Sequence, residues 1–145
     1  MIRAATHHDI QQLAELGEAF VREGHYASHM PINREALRAY MTNAVVMEQT
    51  AILIDATDDT IAGMIGLQVI NHPMSGERVA GELFWYVRPE HRTGIGRELM
   101  KAAEAWARER GAIKLQMTAP DDRVAAVYAR RGFRRIETTY QKELA

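Results

Sequence analysis

The chain has 145 residues, with 18 lysines and arginines against 19 aspartates and glutamates, and it has no cysteine. This length and a hydrophobic share of 47% are those of a single globular domain, which we expect to span residues 1–145. The net charge of −1 gives no support to a nucleic-acid partner, and the lack of cysteine excludes thiol catalysis, disulfides and thiolate metal ligands.

The apolar segments are too short for a membrane protein. None of them approaches the roughly 20 residues that a helix needs to cross a bilayer. The first ten residues, MIRAATHHDI, have no apolar stretch behind their arginine and so do not resemble a secretory signal. We therefore expect a cytoplasmic protein without a membrane partner.

The first part of the chain predicts one short strand and two helices. MIRAA has strand character, and Thr6 with Asp9 has the spacing of a capping box ahead of a helical pattern. After the loop GHYASHMP, Asn33 can cap a second helix. The apolar faces of the two helices comprise Ile10, Leu13, Gly17, Phe20 and Val21, and then Leu37, Tyr40, Met41 and Ala44.

In the middle of the chain, the spacing of the apolar residues changes from one typical of helices to one typical of strands. AILID and IAGMIGLQVIN, joined by ATDDT, predict a β-hairpin, and RVAGELFWYV predicts the next strand. A helix follows Gly96 and ends at Gly111, IKLQMTA is a strand, and Asp121 can cap a last helix that ends at Gly132. FRRIETTYQKEL predicts one or two closing strands.

This order of elements predicts an α/β protein of the α+β type. Hairpins precede a strand–helix–strand unit, so the sheet should be mixed and mostly antiparallel, with a parallel pair in its centre and about four flanking helices.

Two glycines and two arginines stand in RTGIGR, where a strand turns into a helix. The first helical turn has unpaired N–H groups and the positive end of the helix dipole, and glycines let an anion approach these amides. Gly94 and Gly96, with Arg92 and Arg97 beside them, therefore fit a phosphate-binding turn. They fit equally a tight turn without a ligand.

Two familiar phosphate motifs do not match this turn. A Walker loop ends in Gly-Lys-Ser/Thr, a tripeptide that the chain lacks. A dinucleotide-binding fingerprint needs a third glycine three residues after Gly96, where Leu99 stands. Both motifs are excluded.

The order of the elements, RPEHRTGIGRELM and VYARRGF together resemble the GCN5-related N-acetyltransferases, the GNAT family, over nearly the whole chain. The resemblance implies the acyl-CoA N-acyltransferase fold, acetyl-CoA as co-substrate and transfer to a primary amine. The family's pyrophosphate turn, Arg/Gln-x-x-Gly-x-Gly/Ala, corresponds here to His91, Arg92, Thr93, Gly94, Ile95 and Gly96.

The resemblance also implies further cofactor contacts. Either His91 or, through a shorter loop, Arg92 fills the basic position of the turn, and Arg97 adds charge beside it. Asp121 stands where the family often has an asparagine ahead of the last helix. The backbone of Trp85, Tyr86 and Val87 is expected to bind the pantetheine arm and the thioester carbonyl, because this strand bulges and separates from its neighbour in the family.

Acetyl transfer to an amine needs a base and an acid. Glu82 is the candidate base, because it lies within an otherwise apolar strand where burial should raise the pKa of its carboxyl. The alternative is a structural Glu82 at the start of the strand, paired with Arg78 or another arginine. Tyr128, the tyrosine of YARRGF, is the candidate acid by resemblance, and its alternative is a core tyrosine on the helix's apolar stripe.

No metal is expected. His25 and His29 have the four-residue spacing of a metal pair, but they lie in a loop without nearby carboxylates, which we expect to line the acceptor pocket. The acceptor can be a small-molecule or a peptide amine, and a homodimer is left open. A non-catalytic acyl-CoA-binding or sensing module on the same fold is the alternative to an enzyme.

Overall fold

A computed structural model describes the backbone of all 145 residues and every side chain except that of His25. The strands are β1 (Ile2–Ala4), β2 (Thr50–Thr57), β3 (Thr60–Asn71), β4 (Arg78–Val87) and β5 (Lys114–Gln116). The α-helices are α1 (Ile10–Glu23), α2 (Arg34–Val46), α3 (Ile95–Glu109) and α4 (Asp122–Arg130). Short 3₁₀ turns lie at His7–Asp9, His25–Ser28 and Pro89–His91.

The strands form one sheet in the order β1-β2-β3-β4-β5. Neighbouring strands are antiparallel except β4 and β5, which are parallel. The predicted mixed, mostly antiparallel sheet with four helices is thus confirmed. The predicted position of the parallel pair is wrong, since this pair lies at an edge of the sheet and not in its centre.

The closing strands predicted over FRRIETTYQKEL are absent from the described chain. The backbone after α4 has no regular structure, and residues 134–145 are all exposed. A strand forms only where a neighbouring strand pairs with its N–H and C=O groups. Because these residues do not pair with β5, β5 is the last strand of the sheet. The parallel pair of β4 and β5 therefore lies at the edge.

Side chains cap three of the helical segments where the sequence predicted caps. Thr6 and Asp9 form the capping box ahead of α1, with the Thr6 N–H donating to Asp9 Oδ2 over 2.8 Å. Asn33 and Asp121 accept backbone N–H groups at the starts of α2 and α4, each over 2.9 Å. These interactions satisfy amides that a helix leaves without partners.

Two apolar layers cover the sheet. On one face, α1 and α2 pack on residues that include Ile54, Met64 and Tyr86. On the other face, α3 packs its Leu99, Ala103 and Trp106 on a second set of strand residues. None of the described helices has the length and apolar character that a membrane span requires.

Candidate active site

β4 and β5 separate half-way along β4. Their parallel pairing ends at Gly81 and Gln116, whereas β4 continues to Val87. The register between β4 and β3 shifts at the same level, because Gly66 pairs with Phe84 while Leu67 pairs with Glu82. A bulge of this kind bends a strand and increases its twist. The edge of β4 that faces β5 is therefore without a strand partner from residue 82 to residue 87, and we call the space beside this edge the cleft.

The alternation of an antiparallel ladder indicates which amides face this cleft. The Arg88 N–H donates to the Ala62 carbonyl of the β3 side over 2.9 Å. Amides two residues apart point the same way, so the Tyr86 N–H also faces β3, while Trp85 and Val87 direct theirs towards the cleft. Of the three expected backbone contacts, Trp85 and Val87 therefore present their amides to a ligand.

The start of α3 has the properties of an anion site. In the described hydrogen bonds, the N–H groups of residues 94–97 have no acceptor, and no side chain caps the helix. Gly94 has a φ of 122°, and a Cβ added there would meet open space. Such a φ favours glycine, and the uncovered amides with the helix dipole favour a negative group.

Arg92 is engaged away from these amides. Its Nε donates to the Val87 carbonyl over 2.9 Å, and its Nη2 lies 2.6 Å from a carboxylate oxygen of Glu23. The guanidinium also lies over the Tyr86 ring, 5.8 Å from its centroid. These contacts tie the end of β4 to α1. They leave His91 and the exposed Arg97 as the basic side chains beside the turn.

Trp85 connects the α3 turn with α4. A Cβ on Gly96 would lie 3.2 Å from Cζ2 of the Trp85 indole, so glycine allows the helix start to approach this ring. On its other side, Trp85 stacks on Tyr128 with the ring centroids 5.9 Å apart. Trp85 Nε1 is buried and, among the described side chains, has no hydrogen-bond partner. A buried donor of this kind is costly unless a ligand or water satisfies it.

Glu82 lies at the point where β4 and β5 separate. Its Oε2 accepts the Thr118 N–H over 2.9 Å, and Arg78 donates to the Arg110 carbonyl and to Asn71 rather than to Glu82. Burial raises the pKa of the Glu82 carboxyl to about 7, although the Thr118 N–H opposes this shift. The carboxyl can therefore gain and lose a proton near neutral pH.

Tyr128 is buried and lies close to the same point. Its hydroxyl donates to the Thr118 carbonyl over 3.1 Å. Burial, and then the nearby charge of Glu82, raise the pKa of Tyr128 above its ordinary value, so the phenol stays protonated. Thr118 therefore holds both candidate groups through its own N–H and C=O. Sequence reasoning missed Thr118, because it acts through backbone groups that any residue other than proline provides.

Aromatic side chains surround the approach to Glu82 from the α1 and α2 face. Burial raises the pKa of Tyr26 and of Tyr40, which is 43% exposed, and the charge of Glu82 adds to both shifts. The Tyr40 ring lies 6.1 Å from that of Phe84, and the Tyr26 ring lies 4.5 Å from that of Phe20. An apolar wall on this side fits the predicted acceptor pocket.

The remaining predicted residues are placed as follows. Thr93 donates its N–H to the His91 carbonyl within the turn, and Asp121 accepts the Val124 N–H as the cap of α4. The His25 side chain lies outside the described residues, and the proposed His25–His29 pair with it. Among the described residues, no group of three or more histidines and carboxylates is placed to hold a metal ion.

The residues of the cleft fit acetyl-CoA. Uncovered amides and positive charge at the start of α3 suit a pyrophosphate, and the free edge of β4 suits an amide-containing arm. Between these two regions lies Trp85 Nε1, a buried donor that has no partner among the described side chains.

Comparison with known families decides the assignment. The sequence model described as the acetyltransferase (GNAT) family matches residues 12–133. The chain belongs to the GNAT family. As a member of it, the protein is an N-acetyltransferase.

Solved structures agree with this GNAT assignment at the level of the fold. A predicted acetyltransferase from Clostridium acetobutylicum, solved with acetyl-CoA, is 19% identical, with a TM-score of 0.81 over 99% of this chain and 95% of that one. An aminoglycoside 6′-N-acetyltransferase from Acinetobacter haemolyticus is 19% identical, with a TM-score of 0.77 over 100% and 99%.

A third similar structure is that of an enzyme named for a protein acceptor. It is the ribosomal-protein-alanine N-acetyltransferase from Brucella melitensis biovar Abortus 2308, at 19% identity and a TM-score of 0.75 over 99% of both chains. No curated protein sequence gives a significant match.

Proposed function

We propose that this GNAT protein transfers an acetyl group from acetyl-CoA directly to a primary amine. The observation that carries the proposal is an unbroken series of contacts across the cleft. It runs from Gly96 at the start of α3 through Trp85 and Tyr128 to Thr118 and Glu82. An anion site at one end and a base with a pKa of about 7 at the other suit a long phosphorylated thioester whose reactive end meets an amine.

The start of α3 and the free edge of β4 would hold the co-substrate. The amides of residues 94–97, with Arg97 and His91, bind its pyrophosphate, and Trp85 and Val87 offer backbone groups to the pantetheine arm. Acetyl-CoA, when bound, supplies the acyl group in activated form. No cysteine exists to accept that group, which favours direct transfer to the amine.

Glu82 would take the proton of the amine. Most primary amines are protonated at neutral pH, and only the neutral form is nucleophilic. A carboxyl with a pKa of about 7 is partly ionised there and can accept a proton directly or through water. Glu82, with Asp121 near Tyr26, supplies negative charge beside the aromatic wall and attracts the cationic amine.

Tyr128 would act on the leaving sulfur. Its raised pKa lies above the roughly 8.5 of a thiol, so the hydroxyl stabilises the developing thiolate as a hydrogen-bond donor. The sulfur takes the proton that the attacking nitrogen loses as the amide forms, and Tyr128 is protonated again at the end of the step. To reach the sulfur, the hydroxyl exchanges its present acceptor, the Thr118 carbonyl, for the sulfur.

Thiol release from acetyl-CoA over a panel of primary amines tests the activity and the role of Tyr128. Tyr128→Phe keeps the ring against Trp85 and should lower kcat by roughly 10²–10⁴-fold with little change in CoA affinity. The matched control is Tyr140→Phe, which removes a hydroxyl from an exposed tyrosine. If the parent binds CoA and releases no thiol with any amine, the protein is a sensing module and the proposed reaction is wrong.

A charge reversal tests the anion site. Arg97→Glu places a negative charge beside the unpaired amides of α3 and should weaken CoA binding about tenfold or more, as measured by calorimetry. Arg108→Glu makes the same change in the last turn of the same helix and should leave CoA affinity unchanged. Equal affinities in both variants would place the pyrophosphate elsewhere.

A further inference from the structure

The end of α1 is bonded to the turn that precedes α3. Glu23 is the last residue of α1, and its Oε2 accepts a hydrogen bond from Nη2 of Arg92 over 2.6 Å. Arg92 belongs to the turn of the anion site. Glu23 is followed directly by residues 24–31, which we name the acceptor loop because we expect them to line the acceptor pocket. The bond therefore joins the two regions that would hold the two substrates.

Several contacts fix the Arg92 side chain in this orientation. Its Nε donates to the Val87 carbonyl over 2.9 Å, and its guanidinium lies 5.8 Å from the centroid of the Tyr86 ring. The side chains of Arg92 and Glu23 are 48% and 35% exposed, and an ion pair of that exposure contributes little by itself. A planar guanidinium held at three points, however, has one orientation in which all of its contacts form. Arg92 therefore links Glu23 firmly to the end of β4.

Glu23 has a second partner at the end of β4. Burial, and then a hydrogen bond with Glu23, raise the pKa of the Tyr86 hydroxyl to about 12. The hydroxyl therefore stays protonated and donates to the carboxylate. Because a carboxylate accepts several hydrogen bonds at once, Glu23 holds a strand end and the turn after it together.

Aromatic rings connect this network to the acceptor loop. Phe20 of α1 lies 6.3 Å from the Tyr86 ring, edge to face, and 4.5 Å from the ring of Tyr26 in the acceptor loop. A Cβ on Gly24 would lie 3.0 Å from Cδ2 of Tyr26, so glycine lets the loop fold back against α1. Burial, and then the charge of Glu82, raise the pKa of Tyr26, which agrees with a position near the candidate base. The acceptor loop is thus packed on the helix end that is bonded to the anion-site turn.

We propose that Glu23 and Arg92 form a positioning pair, through which the co-substrate bound at the start of α3 organises the acceptor loop for the amine. The nature of the two substrates rests on the proposed function. A pyrophosphate held by the amides of residues 94–97 restrains the turn that carries Arg92, and Arg92 passes this restraint to the residue before the acceptor loop. Ordering the turn thus lowers the entropic cost of ordering the loop, which couples the two binding sites. In this role Arg92 is not a phosphate ligand.

Removing the charge of Glu23 tests the pair in the amine kinetics. Glu23→Gln should raise the KM for the amine by roughly three- to tenfold, because the acceptor loop is less ordered. Its kcat should change little, since Thr118 still holds Glu82 and Tyr128. The CoA dissociation constant, measured by calorimetry, should not change, because the amides at the start of α3 remain in place. Glu15→Gln makes the same change at an exposed position of α1 and should leave all three quantities unchanged. An unchanged amine KM in Glu23→Gln overturns the proposal.

Arg92→Gln distinguishes a positioning residue from a phosphate ligand. As a member of the pair, Arg92 should give the same rise in amine KM as Glu23→Gln and no change in CoA affinity. The double variant Glu23→Gln/Arg92→Gln should be no worse than either single variant, because each single change already breaks the shared bond. A CoA affinity that falls about tenfold in Arg92→Gln, or effects on the amine KM that multiply in the double variant, overturns the proposal.

Amide hydrogen exchange tests the coupling without turnover. Saturating CoA should slow exchange in peptides of the parent that cover the acceptor loop, as well as in those that cover residues 94–97. In Glu23→Gln the protection of residues 94–97 should persist, whereas that of the acceptor loop should be lost. Peptides that cover the β2–β3 turn at Asp58 and Asp59 should be unchanged in both proteins. A parent that releases no thiol with any amine would refute the proposed reaction and leave this comparison valid. Loop protection that is absent from the parent, or equal in parent and variant, overturns the positioning pair.

Discussion

Two opposing requirements act on the protonation state of the Glu82 carboxyl. Catalysis needs its carboxylate ionised near neutrality, while its position in the sheet favours the neutral acid. The raised pKa of about 7 is the balance between burial and the Thr118 N–H. The folded state therefore binds a proton that the unfolded chain releases at its ordinary pKa of 4.5, and the free energy of unfolding falls as the pH rises from about 4.5 to about 7.

Glu82→Gln should remove both the decrease in unfolding free energy between about pH 4.5 and pH 7 and the proposed catalytic base. We expect the variant and the parent to differ little in unfolding free energy near pH 4.5. Above pH 7 the variant should be the more stable by about 1–3 kcal/mol, as measured by urea unfolding. Its kcat/KM should fall and should lose the rise through pH 7 that we expect for the parent. A constant stability difference at all pH values would mean that the carboxyl titrates normally.

At the scale of elements, one aspartate joins β1 to α1. Asp9 is 6% exposed, caps the Thr6 N–H and receives both Nη1 and Nη2 of Arg3 over 2.8 and 2.9 Å. The Arg3 hydrogen bonds lower the pKa of Asp9 from 3.8 to about 2. Asp9 therefore contributes stability above its unfolded pKa, and this contribution is lost as the pH falls through about 2.

Asp9→Ala should lower the unfolding free energy by about 1–3 kcal/mol at neutral pH, since it removes a cap and leaves Arg3 without its partner. Glu35→Ala is the control, because Glu35 is an exposed acidic residue in the first turn of α2. Urea unfolding measures both. The gap between parent and Asp9→Ala should narrow as the pH approaches 2, and a gap that is independent of pH would contradict the ion pair with Arg3.

At the scale of the whole molecule, local sequence signals predicted the helices, their caps and most strands. Contacts between residues distant in sequence determine the orientation of Arg92 and the pairing of the strands. Thr6, Asn33 and Asp121 cap where they were expected, because a cap depends on residues within one turn. The ion-pair partner of Arg92, Glu23, is distant in sequence, so the turn motif alone left open whether Arg92 faces the phosphate site. The prediction of the closing strands was wrong for the same reason. The residues have strand character, but strand pairing depends on a neighbouring strand that the sequence does not specify.

The sequence predicted the candidate site to about the same extent as it predicted the fold. Glu82 was proposed from its residue type and position and Tyr128 from the family resemblance, and in the structure both side chains bond to the backbone of Thr118. The separation of β4 from β5 follows from a bulge opposite Gly66 and Leu67, which no local pattern indicates. A backbone position such as Thr118 has no signature in a single sequence.

β5 is joined to the sheet by a short pairing on one side only, which leads to the last prediction. β5 has three paired residues with β4, from Val79–Lys114 to Gly81–Gln116, whereas β3 pairs with β4 from Gly63 to Asn71. Few shared hydrogen bonds allow frequent local opening, and a ligand that bridges the cleft suppresses such opening. Saturating CoA should therefore slow amide hydrogen exchange in peptides that cover residues 85–87, 94–97 and α4, and should leave α2 unchanged. Arg97→Glu at the same CoA concentration should lose this protection. Equal protection of α2 and the cleft would indicate general stabilisation instead of a ligand bound between β4 and β5.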